Sequence, residues 1–174
     1  MIILGINAYH ADSSAAIFVD GKMIVAIEEE RFRRVKHWAG FPKLAIEFCV
    51  KEAGITFQDI DYVAIGRDTK AKFFRKLLYV AKNPSGSTNA IRDRLGNHRK
   101  VSSIENEMAA ISGLSPSFFK GKIVNVEHHR SHLASAFYAS PYQKAACISI
   151  DGSGDFSTTM TAIGEGNNLQ VLHS

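Results

Sequence analysis

Cysteine is scarce in this sequence: Cys49 and Cys147 are the only two in 174 residues. Two thiols build no disulfide framework, so a small stapled secreted scaffold is excluded. A reducing, cytoplasmic setting is expected, with both cysteines as buried free thiols. Long apolar runs are missing too. A membrane-spanning helix needs ~20 apolar residues, and stretches such as residues 15–19 stop after a few. The apolar start at residues 1–6 has no basic leader and meets Asn7 at once, so no secretory signal is expected. No internal repeat is present. Charge of one sign is not in large excess: 21 basic residues face 17 acidic ones, net +4. Apolar residues make up 45% of the chain, too many for a disordered one. The length suits one domain or a large piece of one.

The charge is unevenly spread. Ten basic residues and only Asp68 and Asp93 lie between Arg67 and Lys100, so that segment is +8 and the rest about −4. A solvated basic helix and loop is one reading, and attraction of a phosphate-bearing ligand is another. Nucleic acid is not expected, because no aromatic-interleaved or helix-turn-helix pattern accompanies the charge.

Residues 1–9, 15–19 and 22–27 read as strands, with Asp20-Gly21 as a hairpin turn. A charged run follows, then a helix opened at Phe41-Pro42 and ended by Gly54. Residues 60–65 read as a strand, and residues 67–80 follow helical spacing. A Pro/Gly/Ser loop covers 83–89, and a helix capped by Ser102 or Ser103 covers 103–111. A strand at 122–126, a helix at 130–139 and a strand at 145–150 come next. Strands at 156–163 and 169–172 flank a turn at 164–168. Hairpin-joined strands followed by alternating strand and helix predict an α/β fold, a mixed sheet with flanking helices.

The segment His128-His129-Arg130-Ser131-His132 follows a strand. On a helix, His128 and His132 project from one face a turn apart, which is a spacing metals use. The pair is not the zinc-protease motif, because His129 stands where that motif has Glu. Asp151 sits at a strand end before glycines, where a carboxylate reaches a metal or its water. Two imidazoles and a carboxylate are a minimal set for Fe²⁺, Zn²⁺ or Mn²⁺ with open positions. His129 is a supporting residue, a ligand in place of His128, or a surface group. Asp151-Gly152-Ser153-Gly154-Asp155 is a phosphate nest or a plain hairpin. His10 can act as acid, base or anion donor near neutral pH, while Asp12, Ser13 and Ser14 hold a turn or meet phosphate. The run EEERFRRVKH at 28–37 is a solvated, ion-paired face, or else Arg33, Arg34, Lys36 and His37 clamp an anion.

Together these strings are more specific than any one of them. The sequence resembles the N-terminal part of the NodU/CmcH-type O-carbamoyltransferases. The resemblance rests on GINAYHADSSAAIFVDG at 5–21, AIEEERFRRVKHWAGFP at 26–42, AGI and DIDYVAIG within 53–66, VEHHRSHLASAFYASPY at 126–142 and ISIDGSGDFSTT at 148–159. It implies half of a ribonuclease H-like, actin-like ATPase (ASKHA) fold, the N-terminal subdomain of a longer carbamoyltransferase. The remainder of that domain and a YrdC-like domain are expected outside this chain. The implied reaction consumes ATP and carbamoyl phosphate, forms carbamoyl-adenylate, and passes the carbamoyl group to a hydroxyl of a sugar or natural product. Its implied metal is a divalent ion, Fe²⁺ first. By the same resemblance His128, His132 and Asp151 match metal ligands, and His10 matches a histidine that meets the carbamoyl group near the acceptor. Gly152, Ser153 and Gly154 match a nucleotide-phosphate lining. A further metal aspartate is expected downstream, so the chain alone is expected to hold an incomplete, inactive site. Acceptor contacts are expected in the loop 67–102 or outside the chain. The alternatives are an actin-like sugar kinase, or a non-catalytic nucleotide-binding module whose exposed apolar edges drive dimerisation. No membrane partner is expected.

Overall fold

The computed structural model describes residues 1–68, 104–154 and 157–174. The expected helix at 67–80, the loop at 83–89 and nearly all of the basic segment lie outside the described residues. The described chain falls into two compact units, one from residues 1–65 and 104–125, the other from 66–68 and 126–174.

The first unit is built on a mixed sheet of order β3-β2-β1-β4-β5. Its strands are β1 (Ile2–Asn7), β2 (Ser14–Val19), β3 (Lys22–Glu28), β4 (Tyr62–Ile65) and β5 (Ile123–Asn125). The first three form an antiparallel meander, and β4 joins β1 in parallel with β5 beyond it. Asp20 and Gly21 both have positive φ, the primed turn that matches strand twist. Period-two alternation fixes the buried face. Leu4 stands between Ile17 and Val63, and Ile6 between Ala15 and Ile65, and all six are buried.

Two helices follow β3: α1 (Glu30–Arg33) and α2 (Lys43–Glu52). Ala45, Ile46, Cys49 and Val50 recur at helical spacing and form the buried stripe of α2. The stripe packs toward β2, where the Cys49 thiol lies 3.5 Å from the Ala15 carbonyl. Beyond Glu52 the Gly54 and Ile55 N–H groups bond back to the Lys51 and Val50 carbonyls, a Schellman ending. Helices α3 (Ile104–Ser112) and α4 (Pro116–Phe119) add Ile104, Met108 and Phe119 to the same core. Helix α4 and a 3₁₀ turn at Phe57–Asp59 escape the sequence reading, because three or four residues show no period. Their signals are capping residues: Ser115 before Pro116, and Thr56 with Asp59.

The charged run is not simply a solvated face. Glu28 and Arg31 do form an exposed pair, but Glu29 is fully buried. Its carboxylate accepts from the Ala45 N–H at 2.8 Å and from Arg33 Nε at 2.7 Å. The carboxylate therefore caps α2 from outside, satisfying a first-turn donor with negative charge.

The second unit packs α5 (His128–Tyr138) on an antiparallel sheet of β6 (Lys144–Gly154), β7 (Ser157–Glu165) and β8 (Asn168–His173), in that order. His129, Leu133 and Phe137 repeat every fourth residue and are the buried stripe of α5. Leu133 and Phe137 meet Met160, Ala162 and Leu169. Gly164 lies under the Phe137 ring, where a Cβ would come within 2.6 Å of it. Residue 164 pairs with Ala145 and Leu169 on either side and so belongs to β7 rather than to the expected turn, which shortens to Gly166 and Asn167. The helix starts two residues before the expected Arg130, because the Glu127 side chain accepts the Arg130 N–H at 2.7 Å. Cys147 is only half-buried, unlike Cys49, a correction to the expectation that both are buried. Among the described residues no helix is long and apolar enough to cross a membrane.

Candidate metal centre

The phase of α5 builds this site. With His129, Leu133 and Phe137 turned to the core, His128 and His132 stand one position round the helix, at its edge. On β6, Ser149 and Asp151 are two apart and share a face. Ser149 Oγ lies 2.8 Å from His129 Nδ1, and Asp151 Oδ2 lies 2.8 Å from His128 Nε2. Helix and strand are thus stitched at two consecutive points.

His129 resolves its three readings. It is fully buried, and its Nε2 donates to the Ser157 carbonyl at 3.0 Å. Nδ1 then accepts from the Ser149 hydroxyl. It is neither a surface group nor a ligand in place of His128; it anchors the first turn of α5 to both β6 and β7.

His128 Nε2 and His132 Nε2 are 3.0 Å apart, and Asp151 Oδ2 is 3.5 Å from His132 Nε2. Donors held about 2.0–2.2 Å from one ion lie within about 4.4 Å of each other, and all three separations meet that bound. The donor set, two imidazoles and one carboxylate, suits a divalent transition metal with open positions. The residues fit such an ion on spacing and on chemistry. The His128 hydrogen bond pulls the Asp151 carboxyl down to about 2, helped by the Gly152 N–H and the charges of His128 and His132. Asp151 is therefore a carboxylate at any ordinary pH.

The glycines of the expected phosphate loop are part of β6 and its hairpin, not a helix N-terminus. Gly152 N–H donates to Asp151 Oδ1 at 2.6 Å, so here it orients the carboxylate. A Cβ at Gly152 would meet nothing within 4 Å, which leaves that backbone open to approach. Gly154 pairs with Ser157 across the hairpin, while the Ser153 side chain and Asp155 lie outside the described residues.

His10 belongs to the first unit. It stands exposed on the β1–β2 loop, with Nδ1 3.4 Å from the Ala11 carbonyl. Sequence reasoning named His37 but missed its partner: His37 Nδ1 lies 2.8 Å from Asp12 Oδ1. Residues 12 and 37 are 25 apart, and no spacing rule announces their pairing. Asp12 read as holding a turn or meeting phosphate, and His37 as part of a solvated, ion-paired face or of an anion clamp. Of the four groups of the anion-clamp reading, His37 is paired with Asp12 and Arg33 with Glu29.

The architecture is that of the actin-like α/β class. YeaZ from Pseudomonas aeruginosa matches with a TM-score of 0.50 at 12% identity, covering 99% of this chain and 65% of that one. The chain belongs to the family described as carbamoyltransferase N-terminus, whose model matches residues 2–174. Among its relatives, an uncharacterised Synechocystis protein is 37% identical over 96% of this chain and 28% of its own length. Nodulation protein NolNO of Sinorhizobium fredii is 31% identical over 95% of the chain and 23% of that protein. An uncharacterised Methanocaldococcus jannaschii protein is 28% identical over 98% of the chain and 26% of that protein. The chain spans about a quarter of the length of these relatives.

Proposed function

We propose that this chain is the N-terminal part of an O-carbamoyltransferase that uses ATP, carbamoyl phosphate and a divalent metal, with Fe²⁺ ahead of Zn²⁺ and Mn²⁺. The observation that carries the reading is the meeting of His128, His132 and Asp151 at the α5–β6 junction, in a chain of this family. The chemistry runs in two stages. Carbamoyl phosphate, water and ATP give carbamoyl-adenylate, phosphate and pyrophosphate, a stage assigned to a YrdC-like domain of the whole protein. A hydroxyl of a sugar or natural product then attacks the carbamoyl carbon. The bond from that carbon to the AMP oxygen breaks, AMP leaves, and the hydroxyl proton passes to a base.

His128, His132 and Asp151 would hold the metal, which supplies Lewis-acid polarisation and fixes an anion when bound. Asp151 brings the negative charge, and Gly152 N–H keeps its second oxygen in place. His129 holds the helix start so that the two ligand histidines are preset. Gly152, Ser153 and Gly154 line the nucleotide phosphate; the Gly152 N–H is taken by Asp151, so that residue contributes an open backbone rather than a donor. His10 meets the carbamoyl group near the acceptor.

The test uses the whole protein with ATP and carbamoyl phosphate and no acceptor. Pyrophosphate release that requires carbamoyl phosphate is the expected result. A folded, metal-loaded protein that releases none removes this reading. A phosphorylated product without pyrophosphate would put a kinase of the same fold class in its place.

A further inference from the structure

Asp151 stands where the β6–β7 ladder is broken. Ile150 pairs with Thr159 and Gly154 with Ser157, so three residues of β6, 151–153, face Thr158 alone. A regular ladder sets one residue opposite one. The extra residues make a bulge, which re-aims a side chain and leaves its backbone out of the ladder. Cross-strand pairing ends at Ile150 and resumes at Gly154, so it does not itself fix Asp151.

Hydrogen bonds from two neighbouring histidines tie the bulge to α5. One joins His128 Nε2 to Asp151 Oδ2 at 2.8 Å. A metal would take both of those atoms, so this bond ends when the site fills. The others belong to His129, which is fully buried. Its Nδ1 accepts from the Ser149 hydroxyl at 2.8 Å, just before the bulge. Its Nε2 donates to the Ser157 carbonyl at 3.0 Å, and Ser157 is the partner of Gly154, just after the bulge. One imidazole therefore grips the hairpin at both ends of the bulge. It uses no metal-ligating atom, so the brace persists with or without an ion. A core position filled only for packing needs no imidazole, and the next residues of the same stripe, Leu133 and Phe137, are apolar.

We propose that His129 and Ser149 are a positioning pair that acts on Asp151: by bracing the bulge they set how far the carboxylate stands from the imidazoles of His128 and His132, and so how tightly a divalent transition metal is held. This rests on the metal reading above and extends it from the helix start to the hairpin. The ligands come from two elements, a helix and a bulged strand, and the His129 ring is the rigid body to which both are referred. Ser149 is a residue that sequence reasoning passed over, since a serine inside an apolar strand announces no partner.

The test titrates the whole protein, stripped of metal, with Zn²⁺ against a competing chelator, and with Co²⁺ followed by its visible spectrum. Ser149→Ala removes the hydroxyl, and His129→Leu keeps an apolar filling while removing both bonds. Leu169→Ala is the control, because Leu169 belongs to the same buried cluster but lies on β8. Ser149→Ala and His129→Leu are expected to weaken Zn²⁺ binding by about 10–100-fold and to alter the Co²⁺ spectrum with all three ligands still present. Leu169→Ala is expected to lower the thermal midpoint and to keep the affinity and spectrum of the unmodified protein. Unchanged Zn²⁺ affinity in Ser149→Ala overturns the proposal. So does an equal loss in Leu169→Ala, which would make the effect one of stability alone. If His129→Leu does not fold, Ser149→Ala decides. An unmodified protein that binds no Zn²⁺ is the separate failure of the metal reading, and takes the proposal with it.

Discussion

His132 is half-exposed and makes its two closest polar contacts with His128 and Asp151. It has no core packing to lose, which makes it the cleanest probe of the trio. His132→Ala in the whole protein is expected to drop bound metal well below one equivalent while leaving the thermal midpoint of the metal-free protein nearly unchanged. Stoichiometric metal in that variant, measured by elemental analysis, would remove the assignment. His129 is the opposite kind of residue. Its neighbours in sequence are candidate ligands, yet both of its nitrogens are spent on Ser149 and Ser157 inside the fold. The string HHRSH does not say which histidine faces inward. The buried stripe of Leu133 and Phe137 does, and that stripe is legible in the sequence once the helix is started at His128 rather than at Arg130.

At the scale of elements, the charged run between β3 and α2 acts through one buried carboxylate. Glu29 holds a donor of the α2 first turn and the Arg33 side chain, away from water. Glu29→Ala is expected to destabilise the protein by about 1–3 kcal/mol, the size of a lost hydrogen bond to a charged group. Glu28→Ala removes only an exposed pair and is expected to stay within about 0.5 kcal/mol. Denaturant melts of the two variants check this, and equal losses would mean that Glu29 caps nothing. Three adjacent glutamates look alike in sequence. Their differing fates follow from where β3 ends and α1 begins, because one residue of phase decides which carboxylate points at α2.

At the scale of the molecule, pH acts through the pairing of α5 with β6. The Asp151 carboxyl is lowered from 3.8 to about 2 in the fold. A depressed carboxyl contributes stability that is present above its unfolded value and lost as pH falls through its folded value. In chelator, the unmodified protein is therefore expected to exceed Asp151→Asn in stability above about pH 4, and the gap to close as pH falls through about 2. A gap that stays constant down to pH 2 would mean that the His128 contact is not formed in solution.

The sequence by itself determined the order of the strands and of the longer helices α2, α3 and α5, the α/β class and the grouping of His128, His132 and Asp151. These rest on local signals: alternation in β1 and β2, the Asp20-Gly21 turn, helical spacing in α2, and a histidine pair four apart before an acidic strand end. Only tertiary structure decided which residues meet across the chain. Asp12 and His37 are 25 residues apart, Glu29 and Ala45 are 16 apart, and His129 and Ser157 are 28 apart. No periodicity reaches over such gaps. Each contact forms because packing of the buried faces brings two loops or elements together; Glu29 and His129 then face their partners out of water, where they must be paired, while Asp12 and His37 meet at the surface.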